Sequence, residues 1–572
     1  MRFLIAVWLT VVTVMAPAQA MQTPPAKPAL TRCGGAAKPV PVKMDKDDKD
    51  DARPEGLQPE EVWTEGSVTV DSETIPYCAV AGTLIVRPKG WDDAAPPSSD
   101  KSDTDKNPTA QASIFYAAYF KRETTATPRP ITFLFNGGPG SATLWLHMGA
   151  FGPRRVDTAD AAHAPAAPYR LVNNDKSLLD ASDLVFIDAP GTGFSRISGD
   201  DKEAAFYGVD EDAQAFATFI ADFLSKYKRW NAPKYLFGES YGTTRAAVLA
   251  AMLQSGPGID FNGVMLLSQV LGTNFYPDHP EATPGNDLPY QLGLPTYAAT
   301  AWYHNQPRDK APGDVPLALL SEVEKFAMGD FAAALAAGAT LDPERRDQVI
   351  VKLHDYTGLS ADYLRRADLR VSADQFRQEL LHDRGLIVGE TDTRYRGHTL
   401  DRMDKKAGYD PTDAAITSAY VSSFNDYVRR VLKYGESKTY RPEVKDLPDT
   451  WKFSHVLPGD TDSTDNTVNV LPDLARAMKY NPLMKVQVNA GYFDLVTPWL
   501  QGRYEMAHLP IPAELRGNIE YRCYQAGHMV YLRPDARAQL HDNAADFIDR
   551  TSNLPPRTGH PRPGPSGCPD QP

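Results

Sequence analysis

The sequence predicts an α/β fold with a central, mostly parallel sheet and a mainly helical insertion. Between residues 131 and 271, short apolar segments typical of buried parallel strands alternate with helical patterns. One such segment, Tyr235–Gly238, runs directly into an Ala- and Leu-rich helical pattern that continues to Leu253. From about residue 276 helix-like segments prevail, and strand signals resume at Met484.

Residues 1–20 have the features of a secretory signal peptide. Arg2 is a short basic start, Phe3–Met15 is apolar, and residues 18–20, Ala-Gln-Ala, fit a cleavage site. The apolar run is shorter than the roughly 20 residues that a membrane span needs. We therefore expect cleavage after Ala20, no membrane anchor afterwards, and an exported protein that is periplasmic or secreted.

Composition indicates a large acidic protein with a disordered leader. Residues 21–59 are rich in Pro, Lys and Asp, and they carry too little apolar surface to offset the entropy of ordering them. The net charge of −13 argues against binding to nucleic acid or to an anionic membrane. Length alone suggests roughly three or four domains, or one large fold with insertions.

Four cysteines follow the predicted cleavage site: Cys33, Cys78, Cys523 and Cys568. In an oxidising compartment they permit two disulfides, and the sequence does not choose among the three possible pairings. None has the spacing of zinc ligands, so we expect no structural metal and no cofactor. The sequence predicts no oligomeric state.

The element signals divide the chain into a core that is interrupted once. The predicted elements are strands at 67–71, 79–86, 112–120, 131–135 and 184–188, a helix at 210–227, strands at 235–238, 264–268, 484–490 and 517–524, and a closing helix at 534–550. We predict a first core part at 60–275, a mainly helical cap insertion at 276–479, a second core part at 480–552 and a Pro-rich tail at 553–572. The insertion's clearest helix signals are Leu317–Ala337 and Ala414–Tyr434, and a separate helical domain is the alternative for it.

The segment Gly238–Gly242, Gly-Glu-Ser-Tyr-Gly, joins a predicted strand to a predicted helix. In such a tight turn the central residue takes a strained backbone conformation, and glycine is needed on both sides because a Cβ would collide with the strand or the helix. The turn exposes the Ser240 hydroxyl as a nucleophile, and the amide of Tyr241 begins a helix whose dipole favours negative charge. The alternative is a Gly-rich turn with an inert serine.

A second turn, Asn136–Ser141, follows the apolar strand at 131–135 and reads Asn-Gly-Gly-Pro-Gly-Ser. Its adjacent glycines leave backbone amides uncovered by side chains, which suits a developing oxyanion. The alternative is an ordinary Gly/Pro turn. Asp494 and His528 each come just after a predicted strand, and the order Ser, Asp, His is that of the α/β-hydrolase fold.

Four motifs in this order resemble those of the serine carboxypeptidases, the family of the carboxypeptidase Y and wheat carboxypeptidase type. They are the turn at 136–141, residues 187–195 (Ile-Asp-Ala-Pro-Gly-Thr-Gly-Phe-Ser), the elbow at 238–242 and residues 526–530 (Ala-Gly-His-Met-Val). The resemblance covers about 109–271 and 484–550, and it identifies the chain as an exported, bacterial-type member. It implies an α/β-hydrolase fold with a helical cap between the nucleophile and the catalytic Asp.

The resemblance also implies a role for each motif residue. Ser240 is the expected nucleophile, His528 the base and then the acid, and Asp494 the residue that orients the imidazole. The backbone amides of Gly138 and Tyr241 are expected to form the oxyanion hole.

Recognition of a substrate's terminal carboxylate is implied for Asn136, Gly137 and Glu239. Because two acids at hydrogen-bond distance cannot both be ionised, one of the pair must be protonated, which predicts better peptide binding at acid pH. The family usually has a second Glu where Ala150 stands here, and a Trp where Leu134 stands. Arg154 and Arg155 could bind the carboxylate instead, or form a solvated or salt-bridged pair.

The function expected from these motifs is that of a serine carboxypeptidase, which releases C-terminal residues from peptides through an acyl-enzyme. The alternative within enzymes is an esterase or an acyltransferase that uses the same triad. A non-catalytic periplasmic binding protein is a third reading, which the presence of Ser240, Asp494 and His528 disfavours.

Overall fold

The computed structural model describes a central sheet, its flanking helices and the insertion. The described residues are 33, 57–92, 97–98, 107–122, 129–273, 280, 283–306, 313–444, 447, 450–460, 462–463, 468–555 and 568–569. The predicted signal peptide and almost all of the predicted leader lie outside them, as does most of the Pro-rich tail.

The strands of the described chain are β1 (Glu61–Val70), β2 (Glu73–Val86), β3 (Pro97–Ser98), β4 (Asn107–Pro108), β5 (Gln111–Lys121), β6 (Ile131–Phe135), β7 (Arg154–Val156), β8 (Leu171–Asn173), β9 (Asp183–Ile187), β10 (Arg196–Ser198), β11 (Lys234–Glu239), β12 (Gly263–Leu267), β13 (Leu386–Val388), β14 (Arg396–His398), β15 (Lys485–Gly491) and β16 (Ile519–Tyr524). In the described residues the main sheet has ten strands, in the order β1-β2-β5-β9-β6-β11-β12-β15-β16, with β10 beside β5.

The pairs from β9 to β16 along this order are all parallel, whereas β1, β2, β5 and β10 are joined by antiparallel pairs, as is β5 to β9. All parallel strands therefore end at one edge of the sheet, which is where an α/β sheet places its functional residues.

The helices of the described chain are α1 (Lys202–Phe206), α2 (Val209–Lys226), α3 (Tyr241–Ser255), α4 (Leu288–Tyr303), α5 (Leu317–Phe326), α6 (Ala332–Ala337), α7 (Pro343–Thr357), α8 (Ala361–Arg366), α9 (Ala373–Glu379), α10 (Pro411–Arg430), α11 (Leu471–Tyr480), α12 (Trp499–Ala507), α13 (Ala513–Arg516) and α14 (Pro534–Thr551). Short 3-10 or π turns cover Leu146–Phe151, Leu178–Asp180, Ala327–Phe331, Gly338–Thr340, His382–Arg384 and Val530–Leu532.

Both faces of the sheet are buried because the central strands are apolar on both sides. Leu236 points into a core shared with α2, α3 and α11, while its neighbours Tyr235 and Phe237 point into a core shared with α10 and α14. This alternation is the two-residue period of a strand covered by helices on each face. The mostly parallel sheet, its two helical layers and the turn from β11 into α3 form an α/β-hydrolase fold, the predicted class.

The predicted insertion differs in detail from its sequence signals. The helical signal at 317–337 is divided into α5, a π turn and α6, and β13 pairs with β14 in a small hairpin. Helices α4 to α9 bury their own apolar cluster, which includes Tyr297, Leu353 and Phe376. By contrast, α11 packs on α3 in the core of the sheet, although all of its residues except Tyr480 lie within 276–479.

Two disulfides are present, Cys33–Cys78 and Cys523–Cys568, with Cα atoms 5.4 and 5.0 Å apart. They select one of the three pairings that the sequence left open. Each bond fastens a remote segment to a strand near an edge of the main sheet, Cys78 in β2 and Cys523 in β16. Within the described residues, no helix combines the length and the apolar character needed to cross a bilayer.

Candidate active site

Ser240 occupies a strained turn between β11 and α3. Its backbone angles are φ 59° and ψ −131°, which a residue with a side chain rarely adopts, and its amide donates to the Leu267 carbonyl at 2.9 Å. A Cβ on Gly238 would lie 2.2 Å from the Gly242 carbonyl oxygen, and one on Gly242 would lie 2.8 Å from the Phe135 carbonyl oxygen. Steric contact thus requires both glycines, and the Ser240 side chain remains partly exposed.

Asp494 and His528 come together from the ends of the adjacent parallel strands β15 and β16. The His528 Nδ1 atom lies 2.8 Å from Asp494 Oδ2. The Asp494 carboxylate also accepts from the Thr497 amide at 2.9 Å and from the Thr497 hydroxyl at 2.7 Å. Because an ionised carboxylate only accepts, Nδ1 of a neutral His528 carries the proton and Nε2 is left as the acceptor that a general base needs.

The buried His528 ring is surrounded by acids. Burial lowers the pKa of His528, but the Asp494 carboxylate, with Glu239 and Asp413, outweighs burial and raises this pKa above its ordinary value. The arrangement therefore stabilises the imidazolium that forms when the ring takes a proton.

The Ser240 hydroxyl and the His528 ring make no hydrogen bond to each other in this conformation, although both residues are among those described. The His528 loop is nevertheless held beside the elbow, because the Ser268 hydroxyl at the end of β12 donates to the His528 carbonyl at 2.7 Å. Catalytic hydrogen bonds are often long without substrate and shorten when it binds.

The turn at 136–141 lies directly against the start of α3. A Cβ on Gly137 would be only 2.4 Å from the Tyr241 nitrogen, and Gly138 has a φ of +104°, a conformation that favours glycine. The first amides of a helix have no partner within it, so the Tyr241 amide is available to an anion. The structure thus brings the Gly138 and Tyr241 segments together beside Ser240.

Arg245, on the first turns of α3, fixes the position of Asn136. Its guanidinium donates to the Asn136 carbonyl at 2.8 Å and forms a two-pronged ion pair with Asp212 of α2, at 2.6 and 3.2 Å. Both side chains of this pair are almost completely buried. Together, these hydrogen bonds of Arg245 join the turn at 136–141 to the helices α2 and α3.

Glu239 is a buried acid beside the nucleophile, with 2 % of its surface exposed. The Tyr531 hydroxyl lies 3.1 and 3.0 Å from its two carboxylate oxygens. Burial raises the pKa of Glu239 to about 7, against the opposing effects of His528 and of hydrogen bonds from Tyr531 and Asn136. Near neutral pH this carboxyl group therefore exists in both protonation states.

Ala150 stands at the position where the family that the motifs resemble usually has a second Glu. Ala150 is buried, and its carbonyl accepts from the Asn174 side-chain amide at 2.8 Å. The Arg155 guanidinium lies 3.5 Å from the Asp157 carboxylate. Arg155 thus takes the salt-bridged form that was the alternative to carboxylate binding.

A loop of the insertion, residues 389–395, is bonded to both loops that carry Asp494 and His528. The His528 amide donates to the Thr391 carbonyl at 2.6 Å, and the Leu495 amide donates to the Glu390 carbonyl at 3.1 Å. Asp410, which caps α10, accepts from the amides of Glu390 and Thr391 at 3.1 and 2.8 Å. The insertion is therefore part of the framework that holds the candidate base.

The sequence motifs did not predict four residues of this site: Thr391, Thr497, Arg245 and Tyr531. Only Arg245 carried a usable signal, because it is the single charged residue in the apolar sequence of α3. The other three are recognisable only after the loops are folded. Among the described residues, no group of three or more His, Cys, Asp or Glu side chains is placed to hold a metal ion.

Residues 104–274 match the model of a family described as serine carboxypeptidase. Over this segment, which is less than a third of the chain, the protein is similar to serine carboxypeptidases. The matched segment contains the turn at 136–141 and the elbow with Ser240, and it ends before Asp494 and His528. This match supports the family that the motifs predict.

Curated proteins match this chain over segments about as long as the one that the family model matches. The pheromone-processing carboxypeptidase KEX1 of Saccharomyces cerevisiae is 27% identical over 162 residues, which are 28% of this chain and 20% of that protein. The serine carboxypeptidase ctsa-3.2 of Caenorhabditis elegans is 25% identical over 171 residues, 28% of this chain and 31% of that protein. The match thus spans only about a fifth to a third of the length of these curated relatives.

Solved structures were also matched. The crystal structure of the prohormone-processing carboxypeptidase KEX1(delta)p from Saccharomyces cerevisiae has a TM-score of 0.46 and 15% identity, with 83% of this chain and 91% of that chain covered. The peroxisomal alpha-beta-hydrolase Lpx1 from the same organism has a TM-score of 0.32 and 12% identity, with 85% and 92% covered.

Proposed function

We propose that this protein is an exported serine carboxypeptidase that releases C-terminal residues from short peptides. One observation carries the proposal: a buried carboxyl group of raised pKa, Glu239, adjoins Ser240 in a chain that also pairs Asp494 with His528. A neutral Glu239 can donate a hydrogen bond to a substrate's terminal carboxylate, which an ionised one would repel. The two disulfides are consistent with export.

In the proposed mechanism, Ser240 attacks the carbonyl of the last peptide bond while His528 Nε2 takes the hydroxyl proton. The amides of Gly138 and Tyr241 bind the oxyanion, and removal of one donor from such a hole typically costs about 100- to 1000-fold in kcat. Asp494 holds the ring and stabilises the imidazolium. His528 then gives the proton to the departing amine, and water, activated by the same ring, hydrolyses the acyl-enzyme on Ser240.

Terminal-carboxylate recognition is assigned to Glu239, Asn136 and the Gly137 backbone. Arg245 holds the Asn136 carbonyl, so this part of the site is fixed before substrate arrives. The insertion loop at 389–395 borders the same site through its bond to the His528 loop. A site so enclosed favours short, flexible peptides over folded proteins.

The first test is covalent labelling with a fluorophosphonate. The native protein should be labelled and the Ser240→Ala variant should not, because the reagent requires an activated serine. Absence of label on the native protein would support a binding protein that keeps only the fold.

The second test compares blocked dipeptides with free and amidated C-termini. We expect kcat/KM to favour the free carboxylate by about 10- to 100-fold, the value of a hydrogen bond to a charged group. Equal cleavage of both, or hydrolysis of simple esters alone, would assign the triad to an esterase or an acyltransferase.

A further inference from the structure

Tyr531 is one of the side chains of this site that no motif explains, and it contacts Glu239. It lies in the short turn Val530–Leu532, three residues after His528, and only 3 % of its surface is exposed. Its hydroxyl lies within hydrogen-bond distance of both oxygens of Glu239, 3.1 and 3.0 Å away. It therefore contacts the acid that is proposed to receive the substrate's carboxylate.

Room for the Tyr531 ring comes from the turn Leu146–Phe151. A Cβ on Gly149 would lie 2.6 Å from two carbons of the ring, so the backbone and the ring are already in close contact. Ala150, the next residue, stands where the family usually has its second Glu. Small residues at 149 and 150 thus accompany a tyrosine that approaches Glu239 closely.

The groups that face Glu239 come from each surrounding loop. They are His528 and Tyr531 after β16, Asp494 after β15, Asn136 after β6 and, from α10, Tyr420. Among these described groups no second carboxyl is hydrogen-bonded to Glu239. Burial and the Glu239 carboxylate raise the pKa of Tyr531 well above its ordinary value, so its hydroxyl remains a donor at all pH values of interest.

We propose that Tyr531 is a positioning residue that replaces the family's second acid: its hydroxyl holds the Glu239 carboxyl in the orientation that receives a peptide's terminal carboxylate. This inference rests on the proposed function and adds the residue that controls its binding step. The hydroxyl donates to the ionised form of Glu239 and stabilises that form. Glu239 must be neutral to donate to the substrate, so Tyr531 also sets the pH above which carboxylate binding is lost.

The test measures binding, so that it does not depend on turnover. In the Ser240→Ala background, affinity for a blocked dipeptide with a free C-terminus is measured by calorimetry from acid to weakly alkaline pH, with and without Tyr531→Phe. Without the hydroxyl, the pKa of Glu239 rises further, and the midpoint at which affinity is lost should move up by about one pH unit. The affinity at acid pH should fall about 5- to 10-fold, because the carboxyl group is no longer oriented.

Two controls separate this role from a structural one. The amidated dipeptide should bind both proteins equally at every pH. The Tyr427→Phe variant removes another buried hydroxyl of α10, which lies 3.0 Å from the Tyr119 hydroxyl and is not among the groups that face Glu239, and should leave the midpoint unchanged.

An unmoved midpoint in Tyr531→Phe, or an equal loss of affinity for the free and amidated peptides, would overturn the inference. Failure of the proposed function gives a different result, namely a native protein that binds these peptides but neither cleaves them nor reacts with the fluorophosphonate.

Discussion

At the scale of single residues, the buried Arg245 supports the candidate active site by donating a hydrogen bond to the Asn136 carbonyl. Its guanidinium also lies over the Phe216 ring, 4.3 Å from the ring centre, and is fully enclosed by its partners. Burying two charges is costly, and their attraction offsets that cost only while both are present. The pair therefore fixes Asn136, and loss of either partner is expected to destabilise the folded protein strongly.

Replacement of Arg245 by Met should lower the free energy of unfolding by about 3–5 kcal/mol, because Asp212 would remain buried without its partner. Urea denaturation of the two proteins measures this difference. The double variant Arg245→Met/Asp212→Leu should recover most of the lost stability, since both charges are then removed. A double variant no more stable than the single one would show that the buried charge is not the cause.

At the scale of elements, the start of α10 and the loop at 389–395 form one unit that reaches the candidate base. The Asp410 carboxylate accepts from the Thr412 amide at 2.8 Å, which caps α10, and also from the loop. The Thr391 carbonyl of this loop in turn accepts a hydrogen bond from the His528 amide. A single carboxylate therefore links α10, the longest helix of the insertion, to the histidine proposed as the base.

The Asp410→Ala variant should reduce kcat/KM about 10-fold, because the His528 loop loses part of its support. Loss of a helix cap alone costs about 0.5–2 kcal/mol of stability. Asp342→Ala is the matched control: Asp342 caps α7 by accepting from the Arg345 amide at 3.1 Å, away from the site. It should leave kcat/KM unchanged, and equal losses of activity in the two variants would contradict the link.

At the scale of the whole molecule, the two disulfides fasten segments near the chain ends to opposite sides of the main sheet. Cys78 lies in β2, next to the edge strand β1, and Cys523 lies in the other edge strand, β16. Pro569, beside Cys568, also accepts a hydrogen bond from Arg503 at 2.8 Å. Each bond closes a loop with a sequence separation of 45 residues.

Replacement of both Cys523 and Cys568 by Ser should lower stability by about 4 kcal/mol, from the chain entropy that the closed loop removes from the unfolded state. Thermal unfolding of the variant, compared with that of the native protein under oxidising conditions, measures the loss. Reduction of the native protein should give a still larger loss, because it opens both bonds. Unchanged unfolding temperatures in all three samples would show that the bridges contribute nothing.

Sequence patterns predicted the parallel strands, the elbow and the family because these depend on local periodicity and on short motifs. Ser240, with glycine on either side, is such a case. The disulfide pairing could not be predicted, since it depends on which Cα atoms approach within bonding range. Tyr531 and Thr391 were missed for the same reason: each acts on a residue far away in the sequence, Glu239 or His528. The core location of α11 was also missed, because an amphipathic helix does not reveal which element it covers.

The hydrogen bond from the His528 amide to the Thr391 carbonyl limits how this protein can be redesigned. A shortened protein without residues 276–479 would keep Ser240, Asp494 and His528. It would lose the Thr391 carbonyl, which accepts a hydrogen bond from the His528 amide. A chimera carrying a foreign cap faces the same constraint, since the donor segment must present a carbonyl at that point in space. Engineers seeking altered substrate range should therefore exchange outer helices of the cap and retain residues 389–395 together with Asp410.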